Sequence, residues 1–179
     1  MSTEEMLDHI DTNDNVIGMM SRKEIHAKGL LHREVAILFV TPDGYFIFQR
    51  RSMKKATNPG LLAFTVAGHV VSGDTYEEAV LKEAEEETGL KLSLSDLVLI
   101  KKDHAQSDAN NCLRVLYGYV FKDSIDQLRI EEDEGDGFVL IPGKNIFDLP
   151  DQLRKNVATS LLDPARYKDI YSNVLALVQ

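Results

Sequence analysis

One cysteine, Cys112, is all the chain carries, so no disulfide framework can form within it. Long apolar runs are missing as well. None approaches the ~20 residues of a membrane-spanning helix. The opening MSTEEMLDHI is acidic, without the apolar stretch of a secretory leader. The expected setting is cytoplasmic, with no membrane partner. Basic charge is scarce: 20 Lys and Arg stand against 29 Asp and Glu, for a formal net charge of −9. General nucleic-acid binding needs a basic face, and this balance argues against it. Repeats, low-complexity tracts and linkers are also lacking. What remains is 179 residues with 44% hydrophobic and 27% charged content, ordinary for a globular protein. That is enough for one domain, 1–179, with its own core.

The informative stretch is residues 68–90, GHVVSGDTYEEAVLKEAEEETGL. Glu83, Glu86 and Glu87 stand at i, i+3 and i+4, so a helix puts all three carboxylates on one face. Like charges that close repel, and a solvated acidic face is the ordinary fate of such a run. A divalent cation among them reverses the argument. Hard carboxylate oxygens suit Mg2+ or Mn2+, which bind through a few carboxylates plus substrate phosphates. The punctuation around the run favours the cation. Asp74 and Thr75 are N-cap residues, Thr75 and Glu78 have capping-box spacing, and Gly89 stands where a left-handed C-terminal residue belongs. Tyr76, Val80 and Ala84 form the core-facing stripe, and the small Ala79 leaves room beside Glu83. Gly68 and Gly73 bracket a loop able to bring backbone close to a bound group. Together these describe a metal–phosphate site.

Residues 68–90 resemble the Nudix box, G-x5-E-x7-R-E-U-x-E-E-x-G-U with U aliphatic. Gly68, Glu83, Glu86, Glu87, Gly89 and Leu90 fall on its fixed positions. Asp74 stands where Glu is usual, Lys82 where Arg is usual, and Ala84 is a small occupant of an aliphatic slot. In the family, the Glu and Arg at the two departing places support the loop–helix structure. Asp with Lys keeps both charge signs, so a weaker pair is expected here, without the planar guanidinium fork. The resemblance implies an α/β fold, a Nudix-type α/β/α sandwich with a mixed β-sheet. It implies Mg2+, or Mn2+, held by Glu83, Glu86 and Glu87 with the Gly68 carbonyl.

The rest of the chain fits that frame. Residues 1 to about 12 read as frayed, 16–20 as a strand, 22–28 as a helical turn, and all of 1–33 as an N-terminal extension. The apolar 35–40 reads as a buried strand. Thr41-Pro42-Asp43-Gly44 is a turn that returns the chain as a strand over 45–49. Residues 64–67 form a short strand delivering Gly68. Strands follow at 97–101 and 113–121 around a polar loop at 103–111, then an acidic loop at 130–135 and a strand at 138–141. The C-terminal region, 151–179, reads as a helix over 151–161 and, after Asp163-Pro164, a terminal helix over 166–177. Strands interleaved with helices predict a sheet covered on both faces.

Arg50, Arg51, Lys54 and Lys55 alone would be ordinary surface charge. The order RRSxxK…NPG before the box, however, resembles the Nudix branch that contains the isopentenyl-diphosphate isomerases, whose matching basic residues contact diphosphate. On that resemblance Arg51 and Lys55, with Arg50 a further candidate, bind phosphate. His26, His32 and His69 also resemble that branch, where histidines from these regions hold a second metal. A structural or substrate-orienting role is put first for them, with His69 beside the substrate. The isomerases use a Cys just before the box Gly and Glu residues on the strand after the box helix. This chain has Ala67 there, and Asn110, Asn111 and Cys112. Cys112 reads as a small strand hydrophobe. The expected activity is therefore metal-dependent hydrolysis of a nucleoside diphosphate linked to another moiety, or of a related organic pyrophosphate. An isomerase-like enzyme and a non-catalytic nucleotide-binding module are the alternatives. Glu83, or Glu134 or Glu132 of the acidic loop, is the candidate base. The apolar 170–178 tail is suited to pack on the body or on a second subunit in a homodimer.

Overall fold

The computed structural model describes residues 4–55, 57–107, 110–130 and 134–179. The chain opens with a hairpin of β1 (Met6–Ile10) and β2 (Val16–Ser21), followed by helix α1 (Arg22–Lys28). The fraying expected for residues 1 to about 12 is thus corrected over Met6–Ile10, while residues 1–3 lie outside the described residues. Leu7 and Ile10 are buried, and Asp8 between them is satisfied from afar. Asp8 accepts from Ser72 Oγ at 2.6 Å and pairs with Arg33 at 3.5 Å, while the Met6 carbonyl accepts from Ser72 N. α1 is capped by Ser21 at its start and by left-handed Gly29 at its end.

Next come β3 (His32–Val40) and β4 (Tyr45–Arg51), joined by the expected turn, in which Gly44 N donates to the Thr41 carbonyl. The strand expected at 64–67 is instead two, β5 (Leu62–Ala63) and β6 (Val66–His69). The interruption has a cause. One edge of β3 is shared, with residues 34–37 pairing β6 and Phe39 and Val40 pairing β4. Thr65 sits at this fork. Its hydroxyl donates to the Ile47 carbonyl of β4 and accepts from Phe39 N of β3 at 2.9 Å.

Helix α2 (Tyr76–Thr88) carries the box. β7 (Val98–Ser107) and β8 (Asn110–Val120) run straight through the stretch expected as a polar loop. Paired neighbours hold its polar residues in a ladder, with Asp103 opposite Arg114 and Gln106 opposite Asn111. β9 (Gly135–Pro142) pairs with β4. The helix expected over 151–161 stops as α3 (Asp151–Arg154), because residues 156–158 join the sheet edge. Leu62 N donates to the Asn156 carbonyl, and Ala158 N to the Leu62 carbonyl. Asp163-Pro164 starts the last helix, α4 (Pro164–Leu175), rather than merely breaking the chain: Asp163 accepts from Ala165 N at 3.0 Å and Pro164 takes the first turn.

The seven-stranded sheet has the order β5-β4-β3-β8-β7, with β6 on β3 and β9 on β4. β3 and β8 are parallel and the other pairs antiparallel, so the sheet is mixed. α2 covers one face through Val80 and Ala84 against Val35, Ile37 and Phe39. α4 covers the other through Tyr171 and Val174 against Leu38, Val40 and Phe46. This is the expected α/β/α sandwich. Ile170, Tyr171 and Val174 are spent on this core, so the apolar tail packs on the body. No helix among the described residues is long and apolar enough to cross a membrane.

Candidate active site

α2 begins where the sequence marks it. Thr75 Oγ1 accepts from Glu78 N at 3.1 Å and the Glu78 carboxylate accepts from Thr75 N at 2.9 Å, a complete capping box. At the other end Gly89 takes the left-handed conformation at φ 73° and its N–H returns to the Glu85 carbonyl. These two caps fix the rotation of the helix, and with it the direction of its carboxylates.

Those carboxylates lie against the backbone of β6. Glu83 rests on Gly68 so closely that a Cβ there would stand 2.0 Å from its carboxyl carbon. Glu87 is 5% exposed and accepts from Ala67 N at 2.9 Å. Burial, then the neighbouring Glu86, pushes Glu83 up to about 7. Burial pushes Glu87 up to about 8, with the Ala67 N–H opposing and Glu83 adding to the rise. Among the described residues no Lys or Arg forms an ion pair with Glu83, Glu86 or Glu87. Three clustered carboxylates, two of them desolvated and none matched by a cation, form a donor set that fits a hard divalent ion.

The carboxylates open onto a groove of about 960 Å3, in the size range of pockets for drug-sized ligands. Gly68, Arg51, Lys55, Glu134, His69 and His26 line it with them. Lys55 is ion-paired with Glu134, which lies near enough to Glu83 and Glu87 to raise both. Arg51 is braced by the Thr57 carbonyl at 2.9 Å and the Thr57 hydroxyl at 3.2 Å. Arg50 does not line the groove; its guanidinium donates to the Gly60 carbonyl at 3.3 Å. Glu132 lies outside the described residues. The weaker pair expected between Asp74 and Lys82 does not form: neither has an ion-pair partner among the described residues, and Lys82 lines the groove instead. Asp and Lys lack the reach and the fork of Glu and Arg.

The three histidines converge. One ring nitrogen from each of His26, His32 and His69 lies within 4.8 Å of the others. His26 and His69 approach at 3.0 Å through Nε2. His32 is buried, and its Nδ1–H donates to the Leu30 carbonyl at 3.0 Å. That leaves the Nε2 lone pair facing inward without a partner. Burial lowers the pKa of His32 and lowers that of His69 well below its ordinary value, so both rings are neutral near pH 7. Neutral imidazoles converging in this way can hold a metal or orient a substrate.

Among the groove residues that escaped the sequence reading, two carry opposite charges. Glu34 and Arg114 are register neighbours on β3 and β8, and both line the groove. The available signal was a charge inside an otherwise apolar strand, as in HREVAILFV and NNCLRVLYGYV.

The NUDIX domain profile matches residues 30–158, most of the chain and all of the box. The chain belongs to the Nudix family. An uncharacterized Nudix hydrolase of Clostridium acetobutylicum is 33% identical over 145 residues, 77% of this chain and 70% of that one. An isopentenyl-diphosphate Delta-isomerase of Serratia proteamaculans is 32% identical over 94 residues, 52% of each chain. Both sides of the expected branch are therefore represented among its relatives. Among solved structures, DR0079 of Deinococcus radiodurans superposes with a TM-score of 0.68 at 21% identity, covering 86% of this chain and all of that one. The Nudix domain of Shewanella oneidensis NrtR, solved with ADP ribose, superposes with a TM-score of 0.54 at 15% identity, covering 83% and 99%. These two show a shared Nudix fold.

Proposed function

We propose that this Nudix protein is a metal-dependent hydrolase of a nucleoside diphosphate linked to another moiety, or of a related organic pyrophosphate. The observation that carries the reading is the pair Glu83 and Glu87. Both are desolvated against the Gly68–Ala67 backbone with no ion pair to Lys or Arg among the described residues, and they line one groove with Arg51 and Lys55. Glu83, Glu86 and Glu87, with the Gly68 carbonyl, would hold Mg2+ or Mn2+. Such an ion would neutralise diphosphate charge and make the attacking water more acidic. Arg51 and Lys55 grip a phosphate. Glu134 or Glu83 takes the proton of the attacking water as its oxygen bonds to phosphorus. The bridging P–O bond breaks and its electrons leave with the second phosphate, giving two phosphate-bearing products. The ADP ribose held by the NrtR domain supports a nucleotide-type ligand for this groove.

The isomerase alternative draws support from the histidine cluster and the named relatives. It is opposed by Ala67 and by the Asn110-Asn111-Cys112 run, which stand where the isomerases carry their Cys and Glu. The test is a screen for phosphate-containing products over nucleoside diphosphates, nucleotide sugars, dinucleotides and coenzyme pyrophosphates. It is run with Mg2+, Mn2+ and chelator, and repeated with Glu87→Gln. Metal-dependent turnover lost in the variant is the expected result. No turnover by folded, metal-binding protein would reduce the chain to a binding module.

A further inference from the structure

The groove continues past the carboxylates to a floor formed by β3 and β8. There Arg114 is 7% exposed. Its Nη2 donates to the Tyr167 hydroxyl at 3.0 Å, its Nη1 stands 3.6 Å from Glu34 Oε1, and its guanidinium lies over the Phe64 ring at 5.3 Å. Glu34 in turn accepts from Asn110 Nδ2 at 2.6 Å. A carboxylate can only accept, which fixes the orientation of the Asn110 amide. Two atoms are left over, both shut off from solvent and without a partner: Arg114 Nε, a donor, and Asn110 Oδ1, an acceptor. Both side chains line the same groove as the carboxylates.

Buried polar atoms in native proteins are nearly always paired, and leaving one unpaired costs stability. A ligand that brings an acceptor to Arg114 Nε and a donor to Asn110 Oδ1 satisfies both. A hydrocarbon chain satisfies neither, and it would seal the Glu34–Arg114 pair away from water. We propose that this floor selects the organic moiety of the diphosphate, and that it takes a hydrogen-bonding nucleobase edge over an apolar chain. The inference rests on the diphosphate site proposed above. It assigns Arg114 and Asn110 as specificity-determining residues, with Glu34 positioning both.

The test is calorimetric binding with Ca2+ in place of Mg2+, using ADP, CDP and n-pentyl diphosphate as probes. All three share the diphosphate, so any change in general charge cancels in the ratio of affinities. The nucleotides are expected to bind at least ~10-fold tighter than the alkyl probe, as a site built to hydrogen-bond rejects a ligand that cannot. That ratio is expected to fall about tenfold in Asn110→Leu and in Arg114→Gln. Asn110 is half-buried, so its variant carries the test if the loss of Arg114 prevents folding. Equal affinity for nucleotide and alkyl probes, or an unchanged ratio in Asn110→Leu, overturns the inference alone. Failure of every probe to bind removes the diphosphate site as well, and the inference with it.

Discussion

Replacing Glu87 by Gln should make the metal-free protein more stable, and increasingly so as pH rises. Glu87 is 5% exposed, and burial pushes its carboxyl up to about 8 from an ordinary 4.5. The folded state therefore binds a proton that the unfolded chain has released. Stability is fully present below 4.5, declines as pH rises, and reaches its minimum above about 8. At pH 7, which lies 2.5 above the ordinary value, the loss is about 3 kcal/mol. In a chain of 179 residues each kcal/mol moves Tm by about 2–4 °C, so the effect is roughly 6–12 °C. Gln is neutral at every pH, and its carbonyl oxygen can still accept from Ala67 N. The assay is thermal melting by circular dichroism in chelator from pH 5 to 8.5, repeated with Mg2+. The gap between variant and wild type should widen with pH, and Mg2+ should close it by stabilising only the wild type. A gap independent of pH, or equal stabilisation of both proteins by Mg2+, would refute the reading of Glu87 as a desolvated, metal-seeking carboxylate.

Three further outcomes can be checked. Gly68→Ala places a methyl where Glu83 now lies; the flexible carboxylate can swing away, so the melt should barely move while kcat/KM falls about 10²-fold. Glu134→Gln should lower kcat yet keep the Mg2+-induced rise in Tm, whereas Glu83→Gln should lose both; the reverse pattern would move the base to Glu83. Asp14→Ala, which strips the acceptor shared by Arg33 at 2.6 Å and Lys102 at 2.6 Å, should cost roughly 2–3 kcal/mol in urea unfolding without changing the metal response.

The legible parts of this protein are those whose causes are local. α2 was readable because its caps, Thr75, Glu78 and Gly89, are neighbours in sequence of the helix they bound. The apolar β3 was readable for the same reason. What escaped depends on distant partners. β1 looked like a polar tail because nothing in MSTEEMLDHI reveals that Ser72 and Arg33 will satisfy Asp8. The 103–111 stretch looked like a loop because its polar residues become a ladder only once β7 and β8 lie side by side. The break after Arg154 is made by Leu62, some ninety residues earlier in the chain. The site followed the same rule. Glu83, Glu86 and Glu87 announced themselves by spacing, whereas Arg114 and Glu34 acquire a role only through the register of β3 against β8.

The fork in the sheet gives one hydroxyl an unusual leverage. Glu87 is tied to β6 through Ala67, while Arg51 and Lys55 hang from the end of β4. These two strands never pair with each other. Both pair with β3, and Thr65 clasps the Ile47 carbonyl and Phe39 N at the point of divergence. The negative half of the groove thus rides on one prong and the positive half on the other, and Thr65 acts as the rivet that sets their span. A ligand bridging both halves is measured against that fixed gap, so its length is gauged by a residue it never touches.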